Sequence, residues 1–237
     1  MRSSLLAVSF LLSSAAYAAD TKPTAGDAPS RDAKAEAAKP DPDVAAATAA
    51  EDAQPRKRSI ALHGRALSYT VTPGTLTIRN DDGAPTASMF YVAYTAESRG
   101  RPRPITFIFN GGPGSSTMWL HMGSFAPVKV DASIPEMIAG PPFRYAANPN
   151  TLLDVSDLVF IDAPTTGLSR PIAKAEPKDF FGVDKDIDAF SRTIQRYLTK
   201  YGRWNSPKFI IGESYGTTRA AGLSNALANK GVQLNGI

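Results

Sequence analysis

From Ser59 to Arg79, Ile60, Leu62, Leu67, Tyr69, Val71, Leu76 and Ile78 alternate with small or polar residues. A period of two is that of half-buried strands. His63-Gly64 and Pro73-Gly74 fall where turns between such strands are expected, and Asn80-Asp81-Asp82-Gly83 supplies another before the apolar run Met89 to Tyr94. These segments predict antiparallel strands at the outer edge of a larger sheet. The pattern then changes. Ile105 to Phe109 and Leu158 to Ile161 are nearly continuous apolar runs, as in strands buried on both faces of a parallel sheet. Trp119 to Pro149, between them, is irregular and rich in Pro and Gly, and predicts loops lining a cleft. Ile187, Phe190, Ile194, Tyr197, Leu198 and Tyr201 recur at helical spacing, so Asp184 to Tyr201 predicts an amphipathic helix with Gly202 as its C-cap. Pro207 to Ile211 predicts one more strand, followed by a helix to about Asn229. Strands interleaved with helices indicate an α/β fold, with a mostly parallel sheet preceded by N-terminal antiparallel strands.

The first residues follow a different rule. Arg2, the apolar run Leu5 to Leu12 and Ala16-Tyr17-Ala18 have the form of a secretory signal peptide cleaved after Ala18. The run is too short to span a bilayer. An exported protein, periplasmic or secreted and without a stable membrane span after cleavage, is therefore expected. From Asp20 to Asp52 the chain is rich in Ala, Pro, Asp and Lys, with one Val and no aromatic residue. Such a stretch buries too little apolar surface to offset the entropy of ordering and predicts a disordered linker. The expected organisation is a signal peptide at 1–18, a linker at 19–57 and a folded domain at 58–237.

Charge and cysteine narrow the chemistry. The chain of 237 residues has no cysteine, so an exported fold must hold by packing alone, and a cysteine nucleophile and thiolate metal sites are excluded. The net charge is +4 overall, −4 over residues 20–52 and +7 over residues 53–237. Apart from Arg56-Lys57-Arg58 and Arg99 to Arg103 the basic residues are scattered, which reads as solvated surface and not as a nucleic-acid site. No metal-ligand cluster and no nucleotide-binding loop is visible, so no cofactor is implied.

Two glycine-rich stretches stand at the ends of apolar runs, where open α/β sheets bind ligands. Asn110-Gly-Gly-Pro-Gly-Ser-Ser116 follows the first run, and its glycines let backbone N–H groups face an anion. Gly212-Glu-Ser-Tyr-Gly216 follows the last run and opens a helix. Strand, tight turn and helix around G-x-S-x-G is the context of a nucleophile elbow, with Ser214 projecting from the strand end. A Gly-flanked loop serine without chemistry is the alternative on this pentapeptide alone.

Together with Phe160-Ile-Asp-Ala-Pro164, Gly167 and Ser169, the two stretches resemble the serine carboxypeptidase family of α/β-hydrolases over about Ile60 to Ile237. The resemblance implies removal of single residues from peptide or protein C-termini through an acyl-enzyme. Ser214 matches the nucleophile, and the backbone N–H groups of Gly112 and Tyr215 match the oxyanion hole. Asn110, Gly111 and Glu213 match the groups that bind the substrate's terminal carboxylate. A protonated Glu213 can donate to a carboxylate where an ionised one would repel it.

Several positions depart from the family pattern. Ile108 stands for a Trp and Ser115 for a Cys, and a Glu that partners the carboxylate-binding Glu is replaced near His121-Met122-Gly123. A histidine beside Glu213 would favour its ionised form. α/β-hydrolases place the triad in the order Ser, Asp, His, yet the residues after Ser214 contain neither Asp nor His. The expectation is an N-terminal portion of a serine carboxypeptidase, cut before the last strands and inactive alone. A non-catalytic binder of peptide C-termini and an esterase or acyltransferase on the same scaffold remain the alternatives.

Overall fold

A computed structural model of the chain describes residues 47–97, 100, 102–130 and 144–237. The expected signal peptide and most of the expected linker lie outside the described residues, as does the middle of the 119–149 stretch. The elements are β1 (Arg56–Leu62), β2 (Arg65–Arg79), β3 (Pro85–Ala96), β4 (Ile105–Phe109), a helical turn α1 (Met118–Leu120), β5 (Val128–Val130), β6 (Tyr145–Ala147), β7 (Asp157–Ile161), β8 (Arg170–Pro171), α2 (Val183–Lys200), β9 (Lys208–Gly212) and α3 (Tyr215–Asn229). A π-helical segment, His121–Phe125, continues from α1.

The main sheet runs β1-β2-β3-β7-β4-β9, with β8 beside β3. Ladders β1–β2, β2–β3 and β3–β7 are antiparallel, whereas β7–β4 and β4–β9 are parallel. The sheet is therefore mixed, with the predicted N-terminal antiparallel strands on one side and the apolar runs forming a parallel half on the other.

Period two now explains why β4 and β7 are apolar throughout. Ile105, Phe107 and Phe109 of β4, with Val159 and Ile161 of β7, point to the face covered by α2 and α3. Ile108, Leu158 and Phe160 point to the other face, where Leu120, Ala126 and Leu153 cover them. Every residue of both strands is buried. Each large side chain so placed contributes about 1.5–3 kcal/mol. Helix α2 supplies Phe190, Ile194, Tyr197 and Leu198 to the same core, and Gly202 at φ 61° follows it as expected.

Three expectations change. Pro73-Gly74 is not a turn: β2 passes straight through it, pairing Pro73 with Val92 and Gly74 with Tyr91. The β1 ladder stops at Val71, so the missing Pro73 N–H is not needed there, and the Pro73 carbonyl instead accepts from Gln54 N at 2.9 Å. The linker boundary at 57 lies too late. Glu51 pairs with Arg196 at 2.7 Å and Lys200 at 3.0 Å, and Asp52 O accepts from Thr75 N at 2.8 Å. These ionic anchors give order to a segment whose composition offers no core residue. Finally, the 119–149 stretch is not all loop, since its residues to Phe125 are helical and β5 pairs antiparallel with β6. Among the described residues no helix is long and apolar enough to cross a membrane.

Candidate active site

The turn from β9 into α3 is sharp enough to strain its central residue. Ser214 sits at φ 56°, ψ −124°, a region that L residues avoid. Gly212 and Gly216 make the turn possible, because a Cβ on Gly212 would lie 2.1 Å from the Gly216 carbonyl oxygen. Gly216 N donates to Glu213 O at 2.8 Å and Thr217 N to Ser214 O at 2.9 Å, closing the first turn of α3. The Ser214 side chain is thereby held out at the carboxyl end of β9, exposed, and its hydroxyl makes no hydrogen bond among the described residues.

The loop after β4 meets this turn directly. Glu213 N donates to Phe109 O at 3.3 Å. A Cβ on Gly111 would stand 2.5 Å from Tyr215 N and 2.6 Å from Glu213 O, so only glycine allows the two loops this approach. Gly112 follows at φ 104°, and the loop curls back through Ser115 N donating to Gly111 O at 3.2 Å. Among the described residues neither the Gly112 nor the Tyr215 N–H is used in a hydrogen bond within the chain. Asn110 is buried, with an amide of fixed orientation. Its Oδ1 accepts from Leu120 N at 3.0 Å and its Nδ2 donates to Glu213 Oε2 at 2.9 Å. All six expected site residues, Asn110, Gly111, Gly112, Glu213, Ser214 and Tyr215, thus lie in two touching loops.

Asp162, at the end of β7, ties in a third loop. Its carboxylate accepts from Thr117 N at 2.8 Å and Leu168 N at 3.1 Å, and the Thr117 hydroxyl donates to the Ile161 carbonyl. Burial raises the Asp162 carboxyl pKa, and the two N–H donors hold it back down in part. Ser169 Oγ donates to Asp162 O at 2.8 Å and accepts from Phe90 N at 2.9 Å.

The histidines lie elsewhere. His121 does not sit beside Glu213: its Nε2 is 2.8 Å from the Tyr94 hydroxyl and its ring lies 4.5 Å from that of Phe160. The π-helical segment turns the side chain down onto the sheet, and burial there lowers its pKa to about 4. His63 is in the exposed β1–β2 turn. Among the described residues, then, neither histidine reaches Ser214, and no cluster of three or more His, Asp or Glu is placed to hold a metal ion.

Sequence reading missed Arg219. It is fully buried in α3, where Nε and Nη2 donate to Asp186 of α2 at 2.7 and 3.0 Å and Nη1 donates to Asn110 O at 2.7 Å. A signal was present. Arg219 shares an i, i+4 stripe with Leu223 and Leu227, and Asp186 shares one with Phe190, so each charge interrupts the apolar face of its own helix.

Comparison with known proteins identifies the family. Serine carboxypeptidase-like 51 of Arabidopsis thaliana is 31% identical over 141 residues, which are 56% of this chain and 27% of that protein. The chain thus spans about a quarter of that relative's length. Among solved structures, a predicted CIB-like hydrolase from Thermoplasma acidophilum aligns with 78% of this chain and 62% of its own at 15% identity, with a TM-score of 0.36, too low to argue from. The family model for serine carboxypeptidases matches residues 72–236, from the middle of β2 through both loops to the last residues. This chain belongs to the serine carboxypeptidase family.

Proposed function

We propose that the protein acts as a serine carboxypeptidase, releasing C-terminal residues from peptides through an acyl-enzyme at Ser214. The observation that carries this reading is the Asn110 Nδ2–Glu213 Oε2 pair at 2.9 Å, adjoining the elbow that presents Ser214. One Nδ2 hydrogen is used by Glu213, which leaves the other for a substrate carboxylate, and a protonated Glu213 adds a second donor. A peptide clamped there by its C-terminus presents its last scissile carbonyl to Ser214. The Gly112 and Tyr215 N–H groups would then receive the oxyanion, each worth a few kcal/mol in such sites. The six residues take the roles of nucleophile (Ser214), oxyanion donors (Gly112, Tyr215) and carboxylate site (Asn110, Gly111, Glu213).

The test compares an N-blocked dipeptide bearing a free carboxylate with its C-terminal amide. The free acid should bind tighter by about tenfold to a hundredfold, the worth of a hydrogen bond to a charged group. Any release of the C-terminal residue should disappear in Ser214→Ala. Equal binding of acid and amide sinks the reading.

One observation favours a second reading. No described base reaches Ser214, and a serine hydroxyl without one is a poor nucleophile. A non-catalytic receptor for peptide C-termini would show the same preference for the free acid, with no Ser214-dependent release. Export follows from the leader at residues 1–18 and is part of the same proposal. Intact mass of the exported protein should begin after Ala18.

A further inference from the structure

Arg219 raises a question that stability does not answer. A buried ion pair contributes little beyond well-packed apolar side chains of the same volume. The Arg219–Asp186 pair is enclosed by aromatic rings, with the guanidinium carbon 4.2 Å from the ring centre of Phe190, 5.1 Å from that of Phe109 and 5.3 Å from that of Tyr215. A leucine in that position would fill space and bury no charge. The guanidinium alone offers a third set of donors, and one of these goes to Asn110 O at 2.7 Å.

That carbonyl opens the Asn110–Gly111 peptide plane. Gly111 and Gly112 have no side chains to lock the backbone, and Gly112 already sits at φ 104°. Freedom that permits the close approach to Tyr215 also permits the N–H groups to turn away. The same guanidinium lies over the Tyr215 ring, at the first residue of α3. A rigid planar fork therefore grips one loop by its carbonyl and the other by its aromatic ring, and α2 anchors it through Asp186. The Asn110 side chain is held separately, by Leu120 N and Glu213.

We propose that Arg219 is a positioning residue that fixes the Gly112 and Tyr215 N–H groups relative to each other, and so to Ser214. The proposal rests on the reading of Ser214 as the nucleophile. It predicts a separation of effects: oxyanion geometry depends on Arg219, while carboxylate binding through Asn110 and Glu213 largely does not.

Arg219→Lys keeps the charge facing Asp186 and loses the fork. In the 237-residue chain three quantities are compared with the parent. They are amide hydrogen exchange at Ser115 and Glu213, whose N–H groups bond Gly111 O and Phe109 O in the two loops, against Phe107 in β4, acylation of Ser214 by p-nitrophenyl acetate, and binding of the N-blocked free-acid dipeptide. Exchange at Ser115 and Glu213 should rise about tenfold with Phe107 unchanged, the mark of local and not global opening. Acylation should fall by about 10²-fold, as for a misplacement of about 1 Å, and dipeptide affinity should change by less than about threefold, because only transition-state contacts are lost. A merely structural role would raise exchange throughout β4 and α3 and weaken binding in step with acylation. Unchanged exchange at Ser115 and Glu213 overturns the proposal. A parent that is never acylated is the outcome expected of a serine without a base, and the exchange comparison still decides the role of Arg219. If Arg219→Lys does not fold, Asp186→Asn loosens the same guanidinium, and unchanged Ser115 exchange in that variant is equally fatal.

Discussion

Strands β4, β7 and β9 are each 5 residues long, and their carboxyl ends lead to Asn110, Asp162 and Ser214. Strands β1 and β2 run 7 and 15 residues and lead to plain turns. The contrast follows from how the strands are paired. Parallel neighbours all end at the same edge of the sheet, so short strands deliver three loops to one place. Antiparallel neighbours alternate their ends, and successive turns lie on opposite edges. Convergence has a structural cost, because three loops crowding one edge leave no room for side chains where they touch.

The largest test of that contrast puts a methyl group in each half. At Gly212 a Cβ would meet the Gly216 carbonyl at 2.1 Å, and at Gly111 it would meet Tyr215 N at 2.5 Å. Both neighbours are backbone and cannot swing aside. Gly64, in the β1–β2 turn, has φ 75° and nothing within 4 Å. Gly212→Ala should cost about 4 kcal/mol or more, at the exceptional end of single substitutions. Gly64→Ala carries only the strain of its positive φ, about 1 kcal/mol. Urea unfolding of the two variants checks this, and equal losses would erase the distinction between the halves.

Acid separates the halves at a smaller scale. Burial alone would raise the Glu51 pKa, but Arg196, Thr77 N and Lys200 overcome it and hold the group at about 2. A depressed carboxyl stabilises the fold above its unfolded value near 4.5 and loses that contribution as pH falls toward 2. His121, on the opposite face of the sheet, is held neutral down to about 4 from an ordinary 6.5. Between those values the unfolded chain binds the extra proton, so stability drops as pH falls, by up to about 1.4 kcal/mol per pH unit. Unfolding measured from pH 7 to 2 should therefore show a first loss between 6.5 and 4 and a second between 4.5 and 2. Glu51→Gln should remove the second, at a cost of about 1 kcal/mol at neutral pH for a partly exposed pair. His121→Gln should remove the first. A single acid limb that neither variant alters would refute both assignments.

The same contrast governs what the residues disclose by themselves. β4, β7, β9 and α2 were legible because burial on two faces, or on one helical stripe, writes itself into apolar spacing. The elbow and the Asn110 loop were legible because close approach demands glycine. Pro73-Gly74 misled because its usual meaning is a turn. Here the ladder from β1 had already ended, and Gly74 made room for Asp52 O and the Tyr91 hydroxyl, 2.6 and 2.7 Å from where a Cβ would be. Glu51 was read as linker because ionic anchoring leaves no periodic mark. Arg219 and Asp186 were passed over because a charge on a helix is ordinarily solvated, and each had to be seen within its own apolar stripe. His121 is expected near Glu213 because the family resemblance has a partner Glu near that position, and a resemblance cannot anticipate a π-helical turn.

The smallest expected effect concerns Ser214 itself. His63 and Ser214 share nearly the same positive φ, 49° and 56°, but their surroundings differ. His63-Gly64 is a two-residue hairpin turn in which both residues have positive φ, as type I′ turns require, and the left-handed region costs an exposed residue little. Ser214 combines φ 56° with ψ −124°, outside the left-handed helical region, and is held there by the ladder behind it and the helix ahead. Strain of this kind is worth about 1–3 kcal/mol and is stored at sites whose geometry it serves. Glycine at this position relieves it and gives back part through greater unfolded-state entropy. Ser214→Gly should therefore raise stability by about 1 kcal/mol while abolishing acylation by p-nitrophenyl acetate. His63→Gly should change stability by no more than about 0.5 kcal/mol. Thermal unfolding of both variants decides the matter. Should Ser214→Gly lose stability, the serine would be a comfortable member of its turn, and the strained φ could no longer be counted as a mark of function.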